Sequence, residues 1–340
     1  MIGVKHMRNV CITGASGYIG NKIALSLSQK DEIENIVGLD IKPPKKSIPK
    51  FRFYKRDVRD NIDDILTDNS IDTMIHTAYI LPPIHNKELM EDINVGGTRN
   101  VLRACVCAKV EQVLYTSSST AYGFHPDNDK PLTEDSPLRG NADFTYSKNK
   151  REIEMAIPEW IKNSSGVRLT ILRPCFVVGP GFDNPLSRYL GKKIVFLPFH
   201  TEPMQFVHED DLVRIIYLAL RNKKDGVFNV GGDGTIPFSE MVKKLGGILI
   251  PLPDKLLSFF NAIAWSLRLW FLSEFPNPAL NMIRYPWVID SDKLKRQLGF
   301  NYKYTTCEAF DDYADFVRRR KGKRESPIRQ NQGVSFYLDS

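Results

Sequence analysis

The 340-residue sequence has little of what staples a fold or holds a metal. Its five cysteines, Cys11, Cys105, Cys107, Cys175 and Cys307, are odd in number and scattered, which argues against a disulfide framework. Cys105 and Cys107 stand one residue apart, the spacing of neither a redox pair nor a metal hook. None of the six histidines lies at ligand spacing from another histidine or a cysteine, so no metal is expected. The opening residues, MIGVKHMRNVCITG, run straight into a strand without the apolar stretch of a secretory signal. A reducing cytoplasm is the expected location. Internal repeats and low-complexity segments are missing as well.

Long apolar runs are also scarce. The one candidate, Leu256–Phe275, reads LLSFFNAIAWSLRLWFLSEF and is long enough to consider as a membrane span. Asn261, Arg268 and Glu274 argue against a span. Core or substrate-lid helices are expected there, with an interfacial membrane helix as the alternative. A net charge of +7 hints at nucleic acid. Most of the excess, however, comes from Arg318, Arg319, Arg320, Lys321, Lys323 and Arg324, at the start of a polar segment over 317–340. A solvated basic tail is expected there, with anionic-membrane contact as the next reading. No nucleic-acid partner is expected.

What the sequence does have is alternation. Short runs of aliphatic and aromatic residues read as strands at Asn9–Thr13, Asn35–Asp40, Phe51–Lys55, Thr73–Thr77, Gln112–Thr116 and Arg168–Arg173, with Val227–Val230 as a late return. Helical patterns cover Asn21–Gln29, Ile93–Lys109 and Ser147–Asn163. Strands and helices in turn imply an α/β fold, a doubly wound parallel sheet buried on both faces. The proline- and aromatic-rich stretches 180–205 and 232–316 read as a smaller, partly interleaved C-terminal substrate domain. Residues 1–179 and 206–231 form the main one.

Between the first strand and its helix stands TGASGYIG. Gly14, Gly17 and Gly20 let the backbone turn sharply and approach a pyrophosphate, which the helix N-terminus also favours. Ser16, Tyr18 and Ile19 lie in the same turn and belong to the same cofactor-binding set. Asp40, twenty residues past Gly20, is placed to accept hydrogen bonds from ribose hydroxyls and to repel a 2′-phosphate. This Rossmann-type signature favours NAD over NADP, although Lys42 lies close. Asp57 and Val58, after the third strand, are placed to meet the adenine edge; for Asp57 a helix cap fits the spacing equally well.

Strand five runs VLYTSSSTAYG, and Tyr146 and Lys150 stand four apart on one helix face. A lysine ammonium beside a phenol favours the phenolate, so that tyrosine can exchange protons nearer neutrality. A hydroxyl at the strand end can hold the substrate oxygen.

These blocks, with DTMIHTA (72–78), INVGGTRNVL (93–102), YSKNK (146–150), LRPCFVVGPG (172–181), FVHEDDL (206–212) and DSDKLKRQLGF (290–300), resemble the extended short-chain dehydrogenase/reductases. Within them they resemble the NAD-dependent epimerase/dehydratase branch that includes UDP-glucose 4-epimerase. The resemblance implies Ser118, Tyr146 and Lys150 as catalytic residues. It adds Thr77, Ala78, Asn94 and Thr116 to the NAD cleft, together with Tyr146 and Lys150. Sugar dehydratases of this branch carry an Asp-Glu pair after the strand-five hydroxyl; here Ser119-Thr120 stand there, which favours an epimerase. Substrate residues are expected at Ser118, Ser119, Phe176, Met204 and Arg284. Phe176 and Met204 replace an asparagine and an arginine that commonly anchor the nucleotide. Arg173, Arg188, Lys192, Lys193 or Arg284 could compensate, but a dehydrogenase or reductase of a hydrophobic, sterol-like alcohol is the alternative. A non-enzymatic NAD sensor is the third reading. Cys175 is expected to pack as a small residue, His208 to support the substrate loop and His76 to pack near the cleft. A homodimer through the helices starting near residues 93 and 147 is implied by resemblance only.

Overall fold

The computed structural model describes residues 7–81, 84–162 and 166–325. Seven parallel strands form the central sheet. In chain order they are β1 (Asn9–Thr13), β2 (Asn35–Asp40), β3 (Phe51–Lys55), β4 (Thr73–His76), β5 (Gln112–Thr116), β6 (Arg168–Pro174) and, later in the chain, Gly226–Val230. Their spatial order is β3-β2-β1-β4-β5-β6 followed by Gly226–Val230, so the chain reverses direction across the sheet between β1 and β4. Such a switch point opens a crevice at the carboxyl ends of the strands.

Alternation along each strand fills both faces. Val10 and Ile12 of β1 join one apolar cluster, and Cys11 between them joins the other. Leu114 and its neighbours Val113 and Tyr115 divide in the same way on β5. The helices Tyr18–Ser28 and Glu209–Arg221 contact each other, as do Asp63–Asp68 and Gly97–Cys107, and Gly97–Cys107 and Thr145–Ile161. The first cluster continues without a break into Phe238, Met241, Ile283 and Phe310 of the C-terminal half.

Of the segment expected to return to the main sheet, only Gly226–Val230 does so. Phe206–His208 (β9) pairs instead with Phe176–Val178 (β7) in a two-stranded sheet. Ile194–Pro198 (β8) and Ile248–Leu252 (β11) make another, and Gly226–Val230 takes the label β10.

The other departures have local causes. The first helix starts at Tyr18, three residues before its expected start, because Gly17 already serves as its N-cap. The expected helix from Ile93 starts at Lys87 instead, capped by Asn86, and passes through a wide π turn at Asp92–Gly96 before Gly97–Cys107. Of the helix expected over Ser147–Asn163, Thr145–Ile161 is observed, and Asn163 lies outside the described residues. The basic residues from Arg318 are not beyond regular structure: the last helix runs Thr306–Glu325 and carries them, anchored by buried Ala309, Phe310 and Ala314. Residues 326–340 lie outside the described residues. The apolar run from Leu256 is not a core helix, since Asp254–Ser266 buries only Leu257 and Ala264.

Candidate active site

The glycine turn is built for close backbone approach. Gly14 has φ +67°, the left-handed region, and a Cβ there would stand 2.8 Å from Ala78 backbone atoms. A Cβ on Gly20 would come within 2.2 Å of the Gly14 carbonyl oxygen. Thr77 Oγ1 donates to the Thr13 carbonyl at 2.6 Å, and the Ala78 N–H donates to Thr13 Oγ1 at 3.3 Å. Thr77 and Ala78 therefore brace the turn from the β4 side. Gly17 caps the following helix without a side-chain hydrogen bond, so the first-turn N–H groups, near Ile19, have no side-chain acceptor. A cradle that any Cβ would fill, ending on an uncapped helix N-terminus, fits a dinucleotide pyrophosphate.

Asp40 lies at the end of β2. Its carboxylate accepts from the Ser16 N–H at 3.0 Å and the Lys42 N–H at 3.3 Å, and it keeps capacity for ribose hydroxyls. Ser16 Oγ donates to the Lys42 carbonyl at 2.6 Å, which closes the loop between turn and strand.

Asp57 is drawn elsewhere. It accepts from the Arg59 backbone N–H at 2.9 Å and from the Arg59 guanidinium, which holds its carboxyl below the usual range. It caps no helix, the next one starting only at Asp63. The Val58 carbonyl accepts from Asn100 Nδ2 at 2.8 Å, and its side chain presses against Gly97. The hydroxyl of Tyr18, a residue expected in the cofactor set, donates to Glu209, a buried carboxylate that also engages Lys22 and accepts from the Gly181 N–H at 3.1 Å.

Beyond the turn, Asn94 is buried in the π segment and grips Ile80 twice, accepting its N–H at 2.8 Å and donating to its carbonyl at 3.3 Å. This fixes the loop after β4. Thr116 Oγ1 donates to the His76 carbonyl at 3.0 Å, tying β5 to β4. His76 is buried between Thr13 Oγ1 (2.6 Å) and Thr98 Oγ1 (2.9 Å). Burial, with the Lys150 charge adding to it, pushes its pKa down to about 3, so it packs as a neutral ring.

Ser118 and Tyr146 lie by the turn after β5, and Lys150 bonds the last residue of that strand. Ser118 caps a short 3₁₀ turn, Ser119–Tyr122, by accepting the Thr120 N–H at 3.2 Å. Burial raises the Tyr146 phenol, while the polar Ser118 and Thr120 side chains beside it pull it back. Lys150 Nζ donates to the Thr116 carbonyl at 2.9 Å and to Tyr115 Oη at 3.2 Å, and lies 3.7 Å from the Tyr79 ring centroid. Burial lowers its pKa to about 7, with Glu154 pulling upward. The Ser119 and Thr120 hydroxyls are buried without hydrogen-bond partners, and both belong to the same turn.

The substrate-side residues are less convergent. Phe176 packs against Phe206 and Trp287, with ring centroids 6.1 and 5.5 Å apart. Met204 faces no cleft: it is fully buried, its backbone paired with Ile236. Arg284 is held by Ser258 at 2.7 Å and Asn281 at 3.3 Å. Arg173 cannot serve a phosphate, being buried in an ion pair with Glu154 at 2.7 Å and a hydrogen bond to Tyr122 Oη at 2.7 Å. Arg188 pairs with Asp183 and Glu274, while Lys192 donates to the Phe271 and Leu272 carbonyls. Lys193 remains exposed. Cys175 is buried, and His208 caps the Glu209–Arg221 helix and stacks on Tyr304. Sequence reading passed over Tyr79, Glu154 and Glu209. Glu154 alone left a signal, four residues past Lys150 on the same helix face.

Residues 10–231 match the NAD dependent epimerase/dehydratase family. A UDP-glucose 4-epimerase from Lactobacillus helveticus is 29% identical over 278 residues, covering 71% of this chain and 83% of its own length. An uncharacterized protein from Mycobacterium bovis is 29% identical over 317 residues, 89% of this chain and 82% of its own. Among solved structures, MoeE5 in complex with UDP-glucuronic acid and NAD superposes with a TM-score of 0.73 at 22% identity, covering 92% of this chain and 99% of that one. That likeness is one of fold.

Proposed function

Because this chain belongs to the NAD-dependent epimerase/dehydratase family, we propose that it is an NAD-dependent nucleotide-sugar epimerase. The turn over Gly14, Gly17 and Gly20 holds the pyrophosphate and Asp40 the ribose hydroxyls, with Thr77, Ala78, Asn94 and Thr116 supporting the cleft. Bound NAD supplies the acceptor that takes a hydride from a secondary alcohol of the sugar and gives it back. Ser118 orients the substrate oxygen, and Tyr146 takes and later returns its proton. Lys150, four residues along the helix, supplies the positive charge that steadies the phenolate.

One observation carries the reading: the catalytic hydroxyl is followed by Ser119 and Thr120, both buried and uncharged, where loss of water would need a carboxylic acid. A ketone formed here has no acid at these two positions to drive elimination, so return of the hydride is the open route. The test is a panel of nucleotide sugars incubated with purified protein and followed by chromatography. Interconversion of UDP-glucose and UDP-galactose, or of another C4 pair, without net NADH supports the proposal. No turnover across the panel, with steady NADH formation from a sterol or other apolar alcohol, overturns it.

That second outcome is the alternative reading, a dehydrogenase or reductase of a hydrophobic alcohol. It is favoured by the apolar Phe176 and by the prior engagement of Arg173, Arg188 and Arg284. We propose in addition that the helices Gly97–Cys107 and Thr145–Ile161 pair with a second copy, which light scattering on the eluted protein tests directly.

A further inference from the structure

Exposed large apolar side chains gather in one region of this chain. Thirteen of the nineteen found among the described residues lie within 194–199 and 248–272. The helix Asp254–Ser266 shows Leu256, Phe259, Phe260 and Ile263 to solvent, one stripe at helical spacing. Only Leu257 and Ala264, along one flank of the stripe, are buried. The turn that follows adds Leu267, Trp270, Phe271 and Leu272, with Phe271 72% exposed.

The sheet beside the helix continues the surface. In β8, Ile194 and Phe196 are exposed while Val195 and Leu197 are buried, the two-residue period of a strand. Ile248 and Ile250 of β11 pair in register with them and are exposed too. Contact between the helix and β8, and the hydrogen bonds from Lys192 to the Phe271 and Leu272 carbonyls, join the parts into one face. An exposed apolar face of this extent marks an interaction site.

Charge decides its partner. Within 192–199 and 248–272 stand Lys192, Lys193, Lys255 and Arg268, against a single acid, Asp254, which pairs with Arg284. Each cation adjoins an exposed apolar residue in sequence or by hydrogen bond. Basic groups at the rim of an apolar face, with Trp265 and Trp270 beside them, match the layered chemistry of an anionic lipid headgroup region over acyl chains. A second copy fits less well, because a two-fold contact would set these like charges against one another. No helix among the described residues is long and apolar enough to cross a membrane.

We propose that this face docks the protein on an anionic phospholipid bilayer. His85, in the segment after the Ala78 loop, stacks on Trp265 with ring centroids 4.4 Å apart and meets Trp270 edge-on at 5.7 Å.

The experiment is sedimentation of the full chain with phosphatidylcholine vesicles, with or without phosphatidylglycerol. Two variants accompany it: Phe259→Ser/Phe260→Ser/Phe271→Ser and Lys193→Gln/Lys255→Gln/Arg268→Gln. None of these residues belongs to the catalytic or cofactor machinery, so NAD binding and the unfolding midpoint report an intact fold. The wild-type protein should pellet with anionic vesicles at low salt, with tryptophan emission shifted to the blue. Either variant should lower the partition coefficient by about tenfold or more. Should the serine variant fail to fold, the glutamine variant and quenching of wild-type tryptophan by brominated lipid decide. The proposal falls if the wild type does not pellet, or if both variants pellet as it does. It falls equally if ultracentrifugation shows a dimer that the serine variant disrupts while vesicles go unbound.

Discussion

Lys150→Met should stabilise the NAD-free protein at acid pH and make it inactive. Lys150 is only 2% exposed, and its pKa is pushed down to about 7 in the fold, against about 10.4 for an unfolded lysine. A lysine whose folded pKa is depressed destabilises the fold when charged. That cost is fully present below about pH 7 and is relieved as pH rises toward the unfolded value. Between those limits the unfolded chain binds about one more proton, so wild-type stability climbs by about 1.4 kcal/mol per pH unit. From about pH 7 to about pH 9 the gain is therefore roughly 3 kcal/mol, and the methionine variant has no share in it. Methionine also gives up the bonds to Thr116 and Tyr115, worth about 1 kcal/mol each. The difference in slope between the two proteins is thus a cleaner test than the difference in height. Urea midpoints read by ellipticity at several pH values, converted with a common m-value, measure it. Parallel pH profiles for wild type and variant would refute the argument, because they would mean that Lys150 is not held near neutrality by burial.

Three further outcomes follow from the same geometry. Tyr146→Phe should cut turnover by about 10²–10⁴-fold and leave NAD affinity near normal by titration calorimetry; an unchanged rate would assign the proton to another group. Gly20→Ala should abolish NAD binding in the same assay, because its methyl group would stand 2.2 Å from the Gly14 carbonyl oxygen. Glu154→Ala should destabilise by about 3–5 kcal/mol in denaturant titration, since it strands the buried Arg173 guanidinium. In the double variant Glu154→Leu/Arg173→Met most of that loss should return; additive losses would show that the two are not coupled.

Much of the molecule was legible in the chain. The strands β1, β2 and β5 begin and end where the apolar runs do, because a parallel strand buried on both faces has sharp compositional edges. The glycine spacing likewise reports a steric requirement, visible at Gly14 and Gly20 as contacts under 3 Å. Helix ends were less readable. The π turn at Asp92–Gly96 is held by Asn94 gripping Ile80, a contact between segments that periodicity cannot register. Tyr18 sits inside the cofactor signature, yet its hydroxyl belongs to Glu209, nearly two hundred residues on. The substrate side was least legible. Whether Met204 or Arg173 faces a ligand or a core depends on which partner folds over it, and Glu154 and Ile236 supply those partners from distant segments.

The Glu209 carboxylate bears on how this chain can be recombined. It gathers Tyr18 and Lys22 of the cofactor helix and the Gly181 N–H around one buried acid, at the start of a helix from the later part of the sequence. A chimera cut near residue 180 would look modular on paper, exchanging one specificity half for another. If the donor lacked an acid at this place, Lys22 and the Tyr18 hydroxyl would lose their common acceptor, and the cofactor turn would inherit the defect. Graft boundaries for redesigning this enzyme therefore belong outside the span from Tyr18 to Glu209, or must carry both ends together.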